Sequence, residues 1–367
     1  MMRHNIVLGL LWLWPWCLAA APCDEMALIP GGTFRMGDAN DAGRSDEQPV
    51  HDVLVDEFMI DRCETSNAEV RRLFQWAHDR QLVNVTTAGV FNVEGEPRLL
   101  LDIHDWNSEI RFADGVFTLY AGRDNFPCIE VTWYGALAFC NFRSLAEDLI
   151  PCIDMTNWSL DVTQSGYRLP TEAEWEKACR GGLEGHYFPW VGRAGAFTNH
   201  VDGSKANYWQ SGDRYEIEGQ LPYTTPTAYY NGHQRPPGLD MSNRYSLYDM
   251  AGNVAEWCWD YYDSDWYGTP EASQDNPVGP AKKKKGRVLR GGSGLSGQKR
   301  AARGQASGRE LAVYLRCAER AGAYPDRGTW HRGFRCARRP PEVTRAPESP
   351  APDASPRAPS PLTTDPQ

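Results

Sequence analysis

Ser246-Leu-Tyr-Asp-Met-Ala-Gly-Asn-Val-Ala-Glu-Trp257 sets two carboxylates, Asp249 and Glu256, on either side of a Gly252-Asn253 pair in an otherwise apolar run. A carboxylate taken out of water is costly unless a positive or hydrogen-bonding group holds it. Two carboxylates with carbonyls from a kinked loop form the hard-oxygen set that Ca²⁺ prefers. The same residues also suit a turn in which Asp249 and Asn253 cap backbone N–H groups. On these twelve residues alone, both readings stand.

Four other segments surround this block in a fixed order. Leu28-Ile-Pro-Gly-Gly-Thr-Phe-Arg-Met-Gly37 lies near the start, and Tyr167-Arg-Leu-Pro-Thr-Glu-Ala-Glu-Trp-Glu-Lys-Ala-Cys-Arg-Gly-Gly182 in the middle. Arg287-Val-Leu-Arg-Gly-Gly-Ser293 follows the block, and Gly333-Phe-Arg-Cys336 comes last. Each motif is short. Together, from about Leu28 to Arg339, the chain resembles the formylglycine-generating enzyme (sulfatase-modifying factor) family. The resemblance implies an α+β fold, a loop-rich variant of the C-type-lectin-like class.

The chain has 367 residues and a formal net charge of −10, which argues against a nucleic-acid partner. Its one basic run, Lys282 to Lys285, sits between glycines and reads as a solvated loop. Met1 to Ala21 pairs a basic Arg3 with an apolar run from Ile6 to Leu18 and ends in small residues. That is the pattern of a secretory signal peptide, too short for a membrane span. Secretion to a periplasm or the extracellular space is therefore expected, with no transmembrane segment. Residues 340–367 hold nine of the 26 prolines and few apolar side chains, so disorder is expected there. Residues 22–339 suit one domain.

Ten cysteines, one of them in the leader, are compatible with disulfides after export. Spacing does not give the pairing. The family resemblance implies Cys140 with Cys336 and Cys179 with Cys317. Cys23, Cys63, Cys128, Cys152 and Cys258 remain unassigned, with Cys128–Cys152 one option. Pro22 before Cys23 makes that cysteine a poor lipid anchor.

Local signals predict few regular elements. Ser66-Asn-Ala-Glu69 and Thr171-Glu-Ala-Glu174 are capping boxes for helices carrying Val70, Leu73 and Phe74, and Trp175 and Cys179. Thr132 can cap a helix with Tyr134, Leu137, Ala138 and Leu145 on its apolar face. Val50–Ile60 and Arg287–Arg290 suit strands. Trp133, Trp175, Trp209 and Trp257 fall in family motifs and are expected to pack in the core, whereas a sugar-binding platform would need exposed ones. Asn84-Val-Thr86 and Asn157-Trp-Ser159 match the glycosylation sequon.

The resemblance implies a structural calcium site with side-chain oxygens of Asp249 and Glu256 and carbonyls of Gly252 and Val254. A second implied site starts at Asn207 with the carbonyl of Tyr208; its acidic half is not recognisable, and Glu218 is one substitute. Active relatives oxidise a sulfatase cysteine with O₂, holding Cu(I) between two cysteines just beyond the Gly-Gly-Ser motif. Ser296 stands at the first of those positions, and no cysteine follows before Cys317. A hydroxyl is a hard ligand and does not replace a thiolate for Cu(I). The aromatic residue expected in the oxygen pocket is Ala255, and Arg300–Val313 looks like an insertion.

Ser293 and Ser296 line the implied groove without an identifiable base, which leaves no nucleophile reading. The eight histidines show no paired spacing for iron, and His331 alone makes no site. Three readings follow. The first is a calcium-stabilised binding or maturation protein, taking an exported protein or peptide, without copper chemistry. The second is an oxidase that makes formylglycine. The third is a non-haem-iron oxidase on the same fold.

Overall fold

The structure is a computed structural model describing residues 23, 25–190, 200–219, 221–282, 284–298, 302–303 and 308–341, with 308–311 by backbone only. The expected leader, most of the expected tail and much of Arg300–Val313 lie outside the described residues. Strands β1 (Met26–Ile29) and β2 (Gly32–Met36) come from the opening motif, and β2 pairs antiparallel with β3 (His51–Val55). The strand expected over Val50–Ile60 is two strands, because Asp56 and Glu57 turn the chain into β4 (Phe58–Asp61).

The helices begin at their caps. Ser66 Oγ accepts from the Glu69 N–H and the Glu69 carboxylate from the Ser66 N–H, opening α1 (Asn67–Asp79) with Val70, Leu73 and Phe74 buried. Short antiparallel strands follow: β5 (Val83–Thr86), β6 (Gly89–Asn92), β7 (Leu99–Leu101), β8 (Ile110–Ala113) and β9 (Val116–Leu119). Thr132 caps α2 (Trp133–Ala146). The apolar face expected for α2 is too narrow, and Leu145 is exposed. Its first three turns are buried almost all round, packed by α1 and β7.

After β10 (Ile153–Asp154) and β11 (Ser159–Leu160), the second capping box opens α3 (Glu172–Arg180). Asp213 caps the single turn α4 (Arg214–Ile217). β12 (Ala255–Tyr261), β13 (Arg287–Arg290), β14 (Arg320–Ala323) and β15 (Arg332–Gly333) form a sheet ordered β14-β13-β12-β15, with β15 parallel to β12. β16 (Ala337–Arg338) returns to β4, whose other edge carries β1. The first and last strands described thus flank one strand and bring the two ends of the domain together.

The low regular content leaves packing to aromatic residues and ion pairs. Trp133, Trp175 and Trp257 are fully buried, but Trp209 is only partly so, at the edge of a third apolar cluster. Arg290, Arg320 and Arg335 are fully buried guanidiniums. Arg290 lies between Glu172 and Glu176, and Arg320 is bidentate to Glu172 at 2.7 Å. Lys282, Lys284 and Lys285 are exposed, and Lys284 reaches Asp263 at 2.7 Å.

Cys23 and Cys63, left unassigned above, form a disulfide. The sulfurs of Cys140 and Cys336 lie 3.7 Å apart as thiols, and the Cys179 and Cys317 thiols are hydrogen-bonded neighbours. Cys128 and Cys152 are free thiols facing different carbonyls, Ile129 and Gly166, so that option is not realised. Among the described residues, no helix is long and apolar enough to cross a membrane.

Candidate functional site

Four left-handed residues bend the Ser246–Trp257 block: Ser246, Asp249, Gly252 and Asn253. Gly252 is required sterically, since a Cβ there would lie 2.2 Å from the Asn207 carbonyl oxygen. Asn253 then joins four segments. Its N–H donates to the Asn207 carbonyl at 3.1 Å and its own carbonyl accepts from Gly294 at 2.8 Å. Its side chain accepts from the Thr225 N–H at 2.9 Å and donates to Glu64 at 2.6 Å. Asp249 accepts from the Ala228 N–H at 2.6 Å. Both residues thus satisfy backbone donors.

Glu256 has both oxygens engaged. Arg335 donates to Oε1 at 2.6 Å and Oε2 at 2.8 Å, and the Trp175 indole N–H donates to Oε2 at 2.8 Å. Glu64, which no sequence pattern marked, is buried beside this pair and accepts from the Val254 N–H at 3.1 Å. Three carboxylates thus face one guanidinium. Burial, then the charges of Asp249 and Glu256, push the Glu64 carboxyl well above its usual range. Burial pushes Asp249 up to about 6.

This cluster has the surplus negative charge a cation would answer, but not converging donors. Among the described residues, no three His, Cys, Asp or Glu side chains are placed to hold a metal ion. A calcium ion sharing Glu256 would have to compete with Arg335.

The Asn207 pocket fits a hard cation better. Asn207 is buried, and its amide nitrogen donates to Asp213 Oδ2 at 3.0 Å and to the Tyr223 carbonyl at 2.8 Å. Its Oδ1 is buried with no hydrogen-bond partner. Turning the amide exchanges N and O, which would gather Asn207 Oδ1, the Asp213 carboxylate and the Tyr223 carbonyl into one oxygen set. Asp213 is fully buried, and burial raises its pKa. Glu218 pairs with Arg214 at 2.7 Å. The Tyr208 carbonyl accepts from the Ser211 N–H at 3.0 Å.

Above this pocket runs the Gly291–Ser296 loop. A Cβ on Gly294 would lie 2.5 Å from Asn207 Oδ1 and 3.1 Å from the Tyr223 carbonyl oxygen, so the loop rests directly on the pocket. Ser296 Oγ accepts from the Ser293 N–H at 2.8 Å, and the Ser296 N–H donates to the Ser293 carbonyl at 2.8 Å. Ser293 Oγ in turn accepts from the Leu295 N–H at 3.3 Å. Both hydroxyls thus serve the turn, and the Cys317 thiol lies buried beside Cys179. Partly buried aromatics run alongside, with the Trp209 and Trp330 rings at 5.8 and 6.3 Å from that of Tyr223. His331 follows in chain order, and its carbonyl accepts from the Ala255 N–H at 2.9 Å.

A family model described as a sulfatase-modifying factor enzyme 1-like domain covers residues 18–340. The formylglycine-generating enzyme of Thermomonospora curvata is 31% identical over 329 residues, covering 86% of this chain and 93% of that protein. The mouse (Mus musculus) enzyme of the same name is 30% identical over 330 residues, covering 85% and 74%. Among solved structures, Treponema denticola variable protein 1 is 26% identical with a TM-score of 0.52, covering 86% of this chain and 95% of that one.

Proposed function

We propose, from the premise that the chain belongs to the sulfatase-modifying factor (formylglycine-generating enzyme) family, that it is an exported, calcium-stabilised member. It binds a protein or peptide in the groove over Gly291–Ser296 without copper-dependent oxidation. The observation that carries this reading is the Ser293–Ser296 turn. The hydroxyl at the first copper-cysteine position is committed to a backbone N–H, and the next sulfur along the chain is buried beside another thiol. Cu(I) needs soft, converging sulfur ligands. Neither serine supplies one.

Export is supported by the Cys23–Cys63 bridge, since disulfides persist in oxidising compartments. That bridge also commits the Cys23 sulfur. Calcium is supported by the orphaned Asn207 oxygen beside Asp213 and Tyr223, and by the surplus charge around Asp249 and Glu256. A bound cation would hold the Asn207–Tyr223 floor on which Gly294 rests.

A second reading, formation of formylglycine, draws on the 31% identity and high coverage shared with an enzyme of that name. The test is to incubate the full chain with Cu(I) and a peptide containing Cys-x-Pro-x-Arg. Mass spectrometry then reads the cysteine, and a pull-down reads binding. Binding without conversion supports the first reading, and conversion supports the second.

A further inference from the structure

Beyond the groove, on the far side of the segment that carries Trp330, a buried carboxylate stands without a partner. Glu130 is 3% exposed with a left-handed backbone (φ 57). Its backbone is fully used: its N–H donates to the Thr329 carbonyl at 3.2 Å and its carbonyl accepts from the Asp102 N–H at 3.1 Å. Gly328 packs so tightly here that a Cβ would lie 2.3 Å from the Glu130 carbonyl oxygen. Among the described residues, the Glu130 carboxylate makes neither a hydrogen bond nor an ion pair. A left-handed non-glycine residue costs about 1 kcal/mol or more.

The surroundings deepen the deficit. Burial, then Asp105 and Asp102, push Glu130 up to about 8, opposed only by Arg332. Asp102 and Asp105 each spend one oxygen on the loop. Asp102 Oδ1 accepts from the N–H groups of His104 and Asp105, and Asp105 Oδ1 from the backbone and side chain of Asn107. Arg111 braces the same loop through the carbonyls of Ile103 and Asp105 rather than through a carboxylate. Asn107 is 7% exposed, yet its Oδ1 has no partner. Between the two aspartates and Asn107, Trp106 is 70% exposed on a loop that these bonds hold in shape.

We propose that this corner, made by Glu130, Asp102, Asp105 and Trp106, receives the lysine or arginine side chain of a partner protein. The commitment to a side-chain cation follows from charge and spacing. Three carboxyl groups oppose one guanidinium, and among the described residues no three acidic groups converge closely enough for a metal ion. A guanidinium carries five donors in a rigid fork and stacks on indole faces, so it bridges donor-poor carboxylates that an ion does not span. The exposed ring of Trp106 supplies a cation–π wall. The site shares no residue with the Ser293–Ser296 loop and stands whether or not that groove is catalytic.

The test uses the full chain labelled with 5-fluorotryptophan, the Trp106 resonance being identified with Trp106→Phe. The probe is an octapeptide of alternating Gly and Arg, against the same peptide with citrulline in place of Arg. The arginine peptide is expected to shift the Trp106 signal saturably, and the citrulline peptide not. Glu130→Gln and Asp105→Asn should each weaken binding at least fivefold, while Glu184→Gln, an exposed acid elsewhere, leaves it unchanged. If Glu130→Gln fails to fold, Asp102→Asn with Asp105→Asn decides. An equal response to citrulline, equal weakening by Glu184→Gln, or a Trp106 shift reproduced by Ca²⁺ alone would overturn the proposal. Conversion or non-conversion of a sulfatase peptide bears on neither result.

Discussion

Arg335 holds both carboxylate oxygens of Glu256, at 2.6 and 2.8 Å, with neither side chain reaching solvent. The pair ties the Gly333-Phe-Arg-Cys336 motif to the end of the Ser246–Trp257 block. Removing one partner of a buried pair leaves the other charge stranded, which costs about 3–5 kcal/mol. Arg335→Ala is therefore expected to lower the unfolding free energy by about that amount in a denaturant titration. Arg335→Leu combined with Glu256→Leu should be much less damaging. Equal losses for the single and double variants would show that packing rather than charge dominates.

Calcium is expected to raise the melting temperature of the full chain relative to chelator, chiefly through the Asn207 pocket. At a hundredfold excess over Kd, ligand binding adds about 2.7 kcal/mol. Asn207→Ala and Asp213→Asn should abolish the shift. Asp249→Asn should reduce it less, because Glu256 in that cluster is already taken by Arg335. A melt that does not respond to millimolar Ca²⁺ would remove calcium from the account.

Stability should fall as pH rises from about 4.5 to 8. Burial raises Asp249 to about 6, Glu109 to about 7, and Glu130 and Asp260 to about 8. Each stays protonated in the fold at a pH where the unfolded chain has released its proton. That contribution is complete below the unfolded values and is lost as pH climbs through the folded ones. Glu130→Gln should flatten the curve between pH 5 and 8. A denaturation midpoint that rises over this interval would contradict the assignment.

Peptide mapping of the protein without reduction should link Cys23 to Cys63, and also Cys140 to Cys336 and Cys179 to Cys317. The last two pairs are thiols in contact here, so oxidation needs little movement. Each would close a loop of more than a hundred residues, worth about 4–5 kcal/mol in chain-entropy models. Links from Cys128, Cys152 or Cys258 would show rearrangement, since these are free buried thiols here.

The helices were legible because a cap needs only four residues. Ser66 with Glu69 and Thr171 with Glu174 each state a helix start locally, and Thr132 does so with less. The site was legible only where the chain turns on itself, at Gly252 and Asn253. Glu64 was not, because its partners come from the other end of the chain and nothing near Cys63 repeats or alternates. Asp213 carried a weak signal, a cap before Arg214, but its approach to Asn207 depends on a loop whose path no local pattern states. Trp209 followed its motif into the fold and stopped at the edge of a cluster.

The central claim is that no pair of thiolates forms where copper chemistry would need one, and its most direct test is mass spectrometry of a Cys-x-Pro-x-Arg peptide after incubation with the full chain, Cu(I) and O₂. The peptide cysteine is expected to emerge unaltered, even when the peptide is retained by the protein. Its conversion to formylglycine, at a rate lost on Ser296→Ala, would contradict the account.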